Sequence, residues 1–268
     1  MKLIVLGSNG FRANDLGQTA CYAIPELGLT LDAGTGLYRM FDHLQDNGFD
    51  VYLSHDHPDH TLGLTWVWHI FWKRGTLEAM ASEGPTDVGA VFAALAEAEP
   101  KVRVHLAPEH MPNVQYLLEK YRDRTLIEYV PLEPTQELAG GTKISPFPVD
   151  SRKDELCFGF RVDTPGGSLA YVTDTYGEPG ARYADEIRGV DVLLHDCAVP
   201  DDQGEFARKV GHSHITPVAR LAAEAQVGRL VLIHLSSFRP EHGEPELDRA
   251  YPIFPRTEVA FDGMEIEF

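Results

Sequence analysis

The 268-residue chain carries 23 Lys and Arg against 41 Asp and Glu, a formal net charge of −18, and is 43% hydrophobic. That apolar content supports a substantial core and excludes a disordered chain, while the acidic excess argues against a surface built to grip a polyanion. No apolar run approaches the roughly 18 residues that a membrane span needs.

In chain order, Lys2-Leu3-Ile4-Val5-Leu6 reads as a first strand, too short for a signal peptide and ended by the turn signal Gly7-Ser8-Asn9-Gly10. Further strands are predicted at 19–23, 29–32, 49–54, 102–106, 142–147, 157–163, 168–173, 191–195, 229–234 and 263–267. Helices are predicted at 62–73, 86–98, 110–122 and 216–227. In the last, Thr216 is placed as the N-cap and Pro217 at the first helical position, with Val218, Leu221, Ala222 and Ala225 as the apolar stripe and Gly228 as the stop. The periodicity alone shows mixed α/β, and residues 1–268 are expected to form one domain without internal repeats. Cys21, Cys157 and Cys197 are an odd, scattered set, which suits free thiols in a reducing, cytoplasmic compartment.

The densest chemistry lies in Ser54-His55-Asp56-His57-Pro58-Asp59-His60-Thr61-Leu62-Gly63-Leu64. Imidazole and carboxylate are both ligands for borderline divalent metals. In an extended segment residues i and i+2 share a face, so His55 and His57 can hold one ion together. Pro58 then turns the backbone and frees Asp59 and His60 to point at a second position. The bland alternative is a surface histidine cluster.

This His-x-His-x-Asp-His pattern resembles the metal-binding signature of the metallo-β-lactamase superfamily, and the resemblance runs nearly the whole chain. Thr30-Leu31-Asp32-Ala33-Gly34-Thr35-Gly36 is similar to the family's first motif, whose Asp orients the metal loop. Val172-Thr173-Asp174-Thr175 is similar to the strand carrying the Asp that bridges two metals, and Leu230 to Ser236 to the strand ending in the last ligand, here His234. The resemblance implies a four-layer αββα sandwich of two mixed sheets with outer helices. It also implies two divalent ions, with zinc expected and manganese or iron as alternatives. The ligand set carried over is His55, His57, Asp59, His60, Asp174 and His234.

One piece departs from the pattern. Val149-Asp150-Ser151 stands where similar members carry Val-x-His, so Ser151 takes the place of an imidazole ligand. The first position would keep His55, His57 and the shared Asp174, and is expected to be weak or empty. Asp150, His214 or a water are candidates to fill the gap.

Leu193-Leu194-His195-Asp196-Cys197 and Gly211-His212-Ser213-His214 resemble paired elements of the ribonuclease Z branch, which match Asp196 and His212 to groups near the leaving oxygen. A carboxylate beside an imidazole fixes its tautomer and favours its acid form, as a general acid requires. The alternative is a buried pair tying a loop to a strand end. His195 is read as packing locally, and His43, His69, His105, His110 and His242 as structural or solvent-facing.

These parts imply hydrolysis by a metal-bound hydroxide, with Asp59 accepting the water's proton and Asp196 with His212 protonating the leaving group. A small phosphodiester or cyclic phosphate is the expected substrate. The tRNA-processing members insert a long basic arm ahead of the bridging Asp, whereas here Phe160 to Asp174 reads as a simple hairpin. tRNA is therefore not the expected partner, nor is a membrane, and a homodimer is left open. Trp66, Trp68, Phe71 and Trp72 could stack a base, but a helix packing face is the better reading. The competing readings are a ribonuclease Z-like nuclease, an ester, thioester or lactone hydrolase, and a degenerate, non-catalytic metal-binding member.

Overall fold

The computed structural model describes residues 1–44, 48–81, 87–152, 155–239 and 244–268. His242 lies outside the described residues.

The first sheet contains β1 (Lys2–Gly7), β2 (Cys21–Ile24), β3 (Leu29–Leu31), β4 (Phe49–Tyr52), β5 (Val102–Leu106), β6 (Ile127–Pro131) and β14 (Glu265–Glu267). The second contains β7 (Gln136–Glu137), β8 (Lys143–Pro148), β9 (Phe158–Thr164), β10 (Gly167–Val172), β11 (Val192–Asp196), β12 (Arg229–Ile233) and β13 (Thr257–Val259). Their orders are β14-β1-β2-β3-β4-β5-β6 and β13-β12-β11-β10-β9-β8-β7. Both are mixed: β3 to β6 run parallel in one and β10 to β13 in the other, with antiparallel neighbours completing each. β9 and β10 form a tight hairpin that turns at Thr164–Gly167, with no arm between them.

Period-two alternation divides the core into three. In β1, Leu3 and Val5 point between the sheets and meet Phe160, Leu169, Tyr171, Leu194 and Ile233. Ile4 and Leu6 point outward, joining Val51 and Val104 with Ile70, Phe71, Leu95 and Val114 from α2 (Val67–Ala81), α3 (Val88–Ala96) and α4 (Met111–Leu118). On the far side Ala170, Leu193 and Leu232 meet Val218, Leu221 and Ala222 of α6 (Ile215–Glu224). The layers are helix, sheet, sheet, helix, as the resemblance implies. Among the described residues, no helix is long and apolar enough to cross a membrane.

The differences from the sequence expectations have local causes. Residues 62–66 form a 3₁₀ segment, and the helix expected at 62–73 runs instead over Val67–Ala81. Phe71 is buried, Trp68 and Trp72 pack on the core, and Trp66 stands exposed beside Tyr38. α6 begins one residue earlier than expected, with His214 at the N-cap position and Pro217 third in the helix. Thr216 does not cap it: Asp201 accepts from both the Thr216 backbone N–H and its hydroxyl, satisfying the helix start from outside. β6, β7, β13 and α5 (Gly204–Val210) were not anticipated, because each is short and β6 ends in a proline tolerated at a sheet edge.

Candidate metal centre

Every candidate residue except His212, which follows α5, lies in a segment that ends or follows a strand at its carboxyl end. Asp32 follows β3, the His55–His60 loop follows β4, Asp174 follows β10, Asp196 ends β11 and His234 follows β12. His57 is extended and Pro58 begins the single-turn helix α1 (Pro58–Thr61), which turns Asp59 and His60 away from His57. Among the described residues, four of the five non-glycine residues with positive φ lie here, namely Phe11, Asp32, Asp174 and His234. Such strained backbone persists only where surrounding contacts hold it, and it concentrates at functional sites.

One group of donors is compact. His60 Nε2 lies 3.3 Å from His234 Nε2, 3.0 Å from Asp174 Oδ2 and 3.5 Å from Asp59 Oδ2. His234 Nε2 is 3.2 Å from Asp59 Oδ2 and 3.2 Å from Asp174 Oδ2. Two ligands on a tetrahedral zinc stand about 3.3 Å apart, so Asp59, His60 and His234, whose donor atoms lie within 4.8 Å of one another, fit one ion, with Asp174 Oδ2 beside both imidazoles. The second group joins His55, His57 and Asp174, whose donor atoms lie within 4.8 Å of one another. Asp174 faces both: Oδ2 the first group, and Oδ1 towards His55 Nε2 at 3.6 Å.

The surroundings suit a cation. His55 is 3% exposed, yet its Nε2 has no hydrogen-bond partner, an arrangement that costs free energy unless something occupies the gap. Burial lowers the His55 imidazole to about 3, keeping it neutral and able to ligate. Burial would also lower His234, but Asp174, Asp196 and Asp59 outweigh it and push it up to about 10. Positive charge is thus drawn into this carboxylate cluster, as a divalent ion would be.

Outer contacts set the ring orientations. Asp32 Oδ2 lies 2.7 Å from His60 Nδ1, and the carboxylate also accepts from Ser54 N, Ser54 Oγ and the Tyr171 hydroxyl. This directs His60 Nε2 at the cluster. Gly10 supplies clearance for His234, since a Cβ there would stand 2.2 Å from the ring. His110 and Asn113 contact the two oxygens of Asp56 and brace the loop.

Asp196 and His212 come together beside this cluster. His212 Nδ1 is 2.8 Å from Asp196 Oδ2, and its Nε2 faces Asp174 Oδ1 at 4.0 Å. His195 instead bonds the Asp196 carbonyl and the Tyr183 hydroxyl. His105 pairs with Asp50, and His69 is exposed beside Trp72.

The two protein candidates for the gap at Ser151 have partners elsewhere. Asp150 faces Arg182 N and Nε, and His214 is held by Asp201 at 2.6 Å with Tyr176 on its other nitrogen. Two residues at the site escaped the sequence reading: Gly10 and Phe11. Phe11 N donates to Asp59 Oδ2 at 2.7 Å, and its half-exposed ring stands edge-on to His212 and His234. The sole signal for both was a glycine turn after β1.

The chain matches a family model described as the beta-lactamase superfamily domain over residues 31–235. It is 27% identical to ribonuclease Z of Methanosarcina acetivorans over 248 residues, 81% of this chain and 80% of that protein. The metallo-beta-lactamase fold protein YhfI from Bacillus subtilis superposes with a TM-score of 0.73 at 19% identity, covering 99% of each chain. A diphosphatase of the PhnP family superposes with a TM-score of 0.69 at 18% identity, covering 100% of this chain and 96% of that one. At such identities these two structures speak for the fold alone.

Proposed function

This chain belongs to the metallo-β-lactamase superfamily of metal-dependent hydrolases, on its ribonuclease Z-like side, and from that premise we propose that it is a phosphodiesterase acting on small diesters or cyclic phosphates. The observation that carries the reading is the group of Asp59, His60 and His234, with Asp174 against both imidazoles and the Asp196–His212 pair beside it. Bound divalent ions supply Lewis acidity and an activated water there. Asp59, His60, Asp174 and His234 would hold one ion, and His55, His57 and Asp174 would hold the other. Zinc is the metal proposed for both, with manganese or iron as alternatives.

The chain's own groups divide the proton work. Asp59 accepts the proton of the attacking water. His212, with Nδ1 tied to Asp196, carries its transferable proton on Nε2 and gives it to the departing oxygen. Asp196 orients that imidazole, and Phe11 closes one side of the space with an apolar edge. The small-substrate reading draws on the tight β9–β10 hairpin and the net charge of −18. The same fold houses a diphosphatase in the PhnP-family structure, so fold does not choose the substrate. The second reading, RNA processing, is favoured by the 27% identity to an archaeal ribonuclease Z. Metal analysis of the purified protein, followed by assay on phosphodiester, thioester and lactone panels, tests the proposal; activity confined to thioesters or lactones defeats it.

A further inference from the structure

We propose that Phe11 is a specificity-determining residue, its ring being the surface on which an aromatic departing group of the diester packs. The inference rests on the phosphodiesterase reading above and narrows its substrate class to diesters with an aromatic leaving group.

Two features set Phe11 apart. Its φ of 61° places a bulky side chain in the left-handed region, and Arg12 N closes a three-residue turn across it onto Gly10 O at 2.7 Å. The phenyl is also 47% exposed. The backbone N–H that Phe11 gives to Asp59 Oδ2 needs neither feature, because glycine would offer the same N–H at this φ without strain. What the phenyl alone supplies is an apolar surface beside the reacting groups, its centroid 5.0 Å from the His212 ring and 5.5 Å from the His234 ring. Backbone strain of this kind is kept at functional sites, and here the ring is the part that requires the position.

The loop holds that ring still. Gly10 N donates to Leu235 O at 2.9 Å and ties the turn to the chain leaving β12, next to His234. Asn9 Nδ2 donates to Gly17 O and to Asn14 Oδ1 across the loop. Asp262 accepts from Ser8 N at one end of the loop and from Gln18 N at the other. A wall fixed in advance loses little conformational freedom when a substrate packs on it.

Position decides which half of the substrate meets the ring. His212 is the proposed donor to the departing oxygen, so that oxygen must come within hydrogen-bond reach of Nε2. The group it carries then lies alongside the phenyl. An aromatic ring there gains offset or edge-to-face contact, whereas an alkyl group gains apolar area alone.

Steady-state hydrolysis of methyl phenyl and methyl naphthyl phosphodiesters, whose departing phenols are matched in acidity, tests this. The wild type is expected to show a KM about two- to tenfold lower for the naphthyl ester, with similar kcat. Phe11→Leu, which keeps the backbone N–H, is expected to abolish that preference by raising KM on the naphthyl ester, and Phe11→Trp to restore it. Zinc titration of metal-stripped Phe11→Leu is expected to match the wild type, which separates loss of the ring from disturbance of Asp59.

Equal KM for the two esters in the wild type would overturn this inference and leave the proposed function standing. So would a Phe11→Leu variant that keeps the wild-type preference, or one whose metal uptake falls. No hydrolysis of either ester by the wild type would overturn the proposed function, and this inference with it.

Discussion

Asp196 Oδ2 meets His212 Nδ1 at 2.8 Å, and the same oxygen lies 3.2 Å from His234 Nδ1. One buried carboxylate thus braces both the imidazole proposed to protonate the leaving group and an imidazole proposed to hold an ion. His212→Ala is expected to lower turnover about 10²–10⁴-fold on alkyl diesters and far less on nitrophenyl diesters, whose leaving groups need little protonation. Rates across a leaving-group series check this; a uniform loss would assign His212 to binding.

Asp174 shows one oxygen to each donor group, so Asp174→Ala should cost both ions and hydrolysis. His234→Ala should remove the ion of the compact cluster. Elemental analysis after gel filtration reads the difference, and near-wild-type metal content in either variant would defeat the assignment.

Gly10 has a Cβ position 2.2 Å from the His234 ring. Gly10→Ala is therefore expected to displace that ring and weaken the tighter ion at least about tenfold, the scale of losses from outer-contact changes at metal sites. Titration of the stripped variant measures it, with far-ultraviolet dichroism showing that the sheets survive.

Substrate class is decided by comparing a nitrophenyl diester with precursor tRNA at matched metal and salt. At −18 the chain repels polyanions at long range, while bound cations still attract a compact phosphate. Turnover of the diester with poor tRNA cleavage is expected. Efficient, site-specific cleavage of the tRNA would move the chain to the processing ribonucleases.

Away from the site, Asp50 joins β4 to β5 through His105 and Arg103. Burial alone would raise its carboxyl, but these two hydrogen-bonded partners outweigh burial and hold it below its ordinary 3.8. A depressed carboxyl contributes stability above its unfolded value and loses it as pH falls through the folded one. Asp50→Asn should therefore cost about 1–2 kcal/mol near neutrality, mostly from the His105 contact since Arg103 is largely solvent-exposed, and progressively less below about pH 4. Urea titrations at neutral and acid pH measure this, and a difference that grows in acid would contradict it.

The long strands and the metal loop were legible for local reasons. Leu3 to Leu6 and Leu230 to Ile233 are apolar runs bounded by turn signals, and neither needs distant information to be read as strand. His55, His57, Asp59 and His60 are near one another in sequence, so a kink at Pro58 is enough to predict two directions of ligation. β7 and β13, at two and three residues, carry too little periodicity and exist because a neighbouring strand offers hydrogen bonds.

Residue types and their order along the chain determined the mixed α/β class, the clustered histidines and the acidic charge, because those depend on hydrophobic period, local spacing and summed charge; the layering came from the family resemblance. Which groups share an ion was left to the tertiary structure. Asp59 and His234 meet across 175 positions, because the parallel strands β4 and β12 of the two sheets end at one edge. The spacing left Asp150 and His214 both open for the gap at Ser151; the folded structure instead engages them with Arg182 and Asp201.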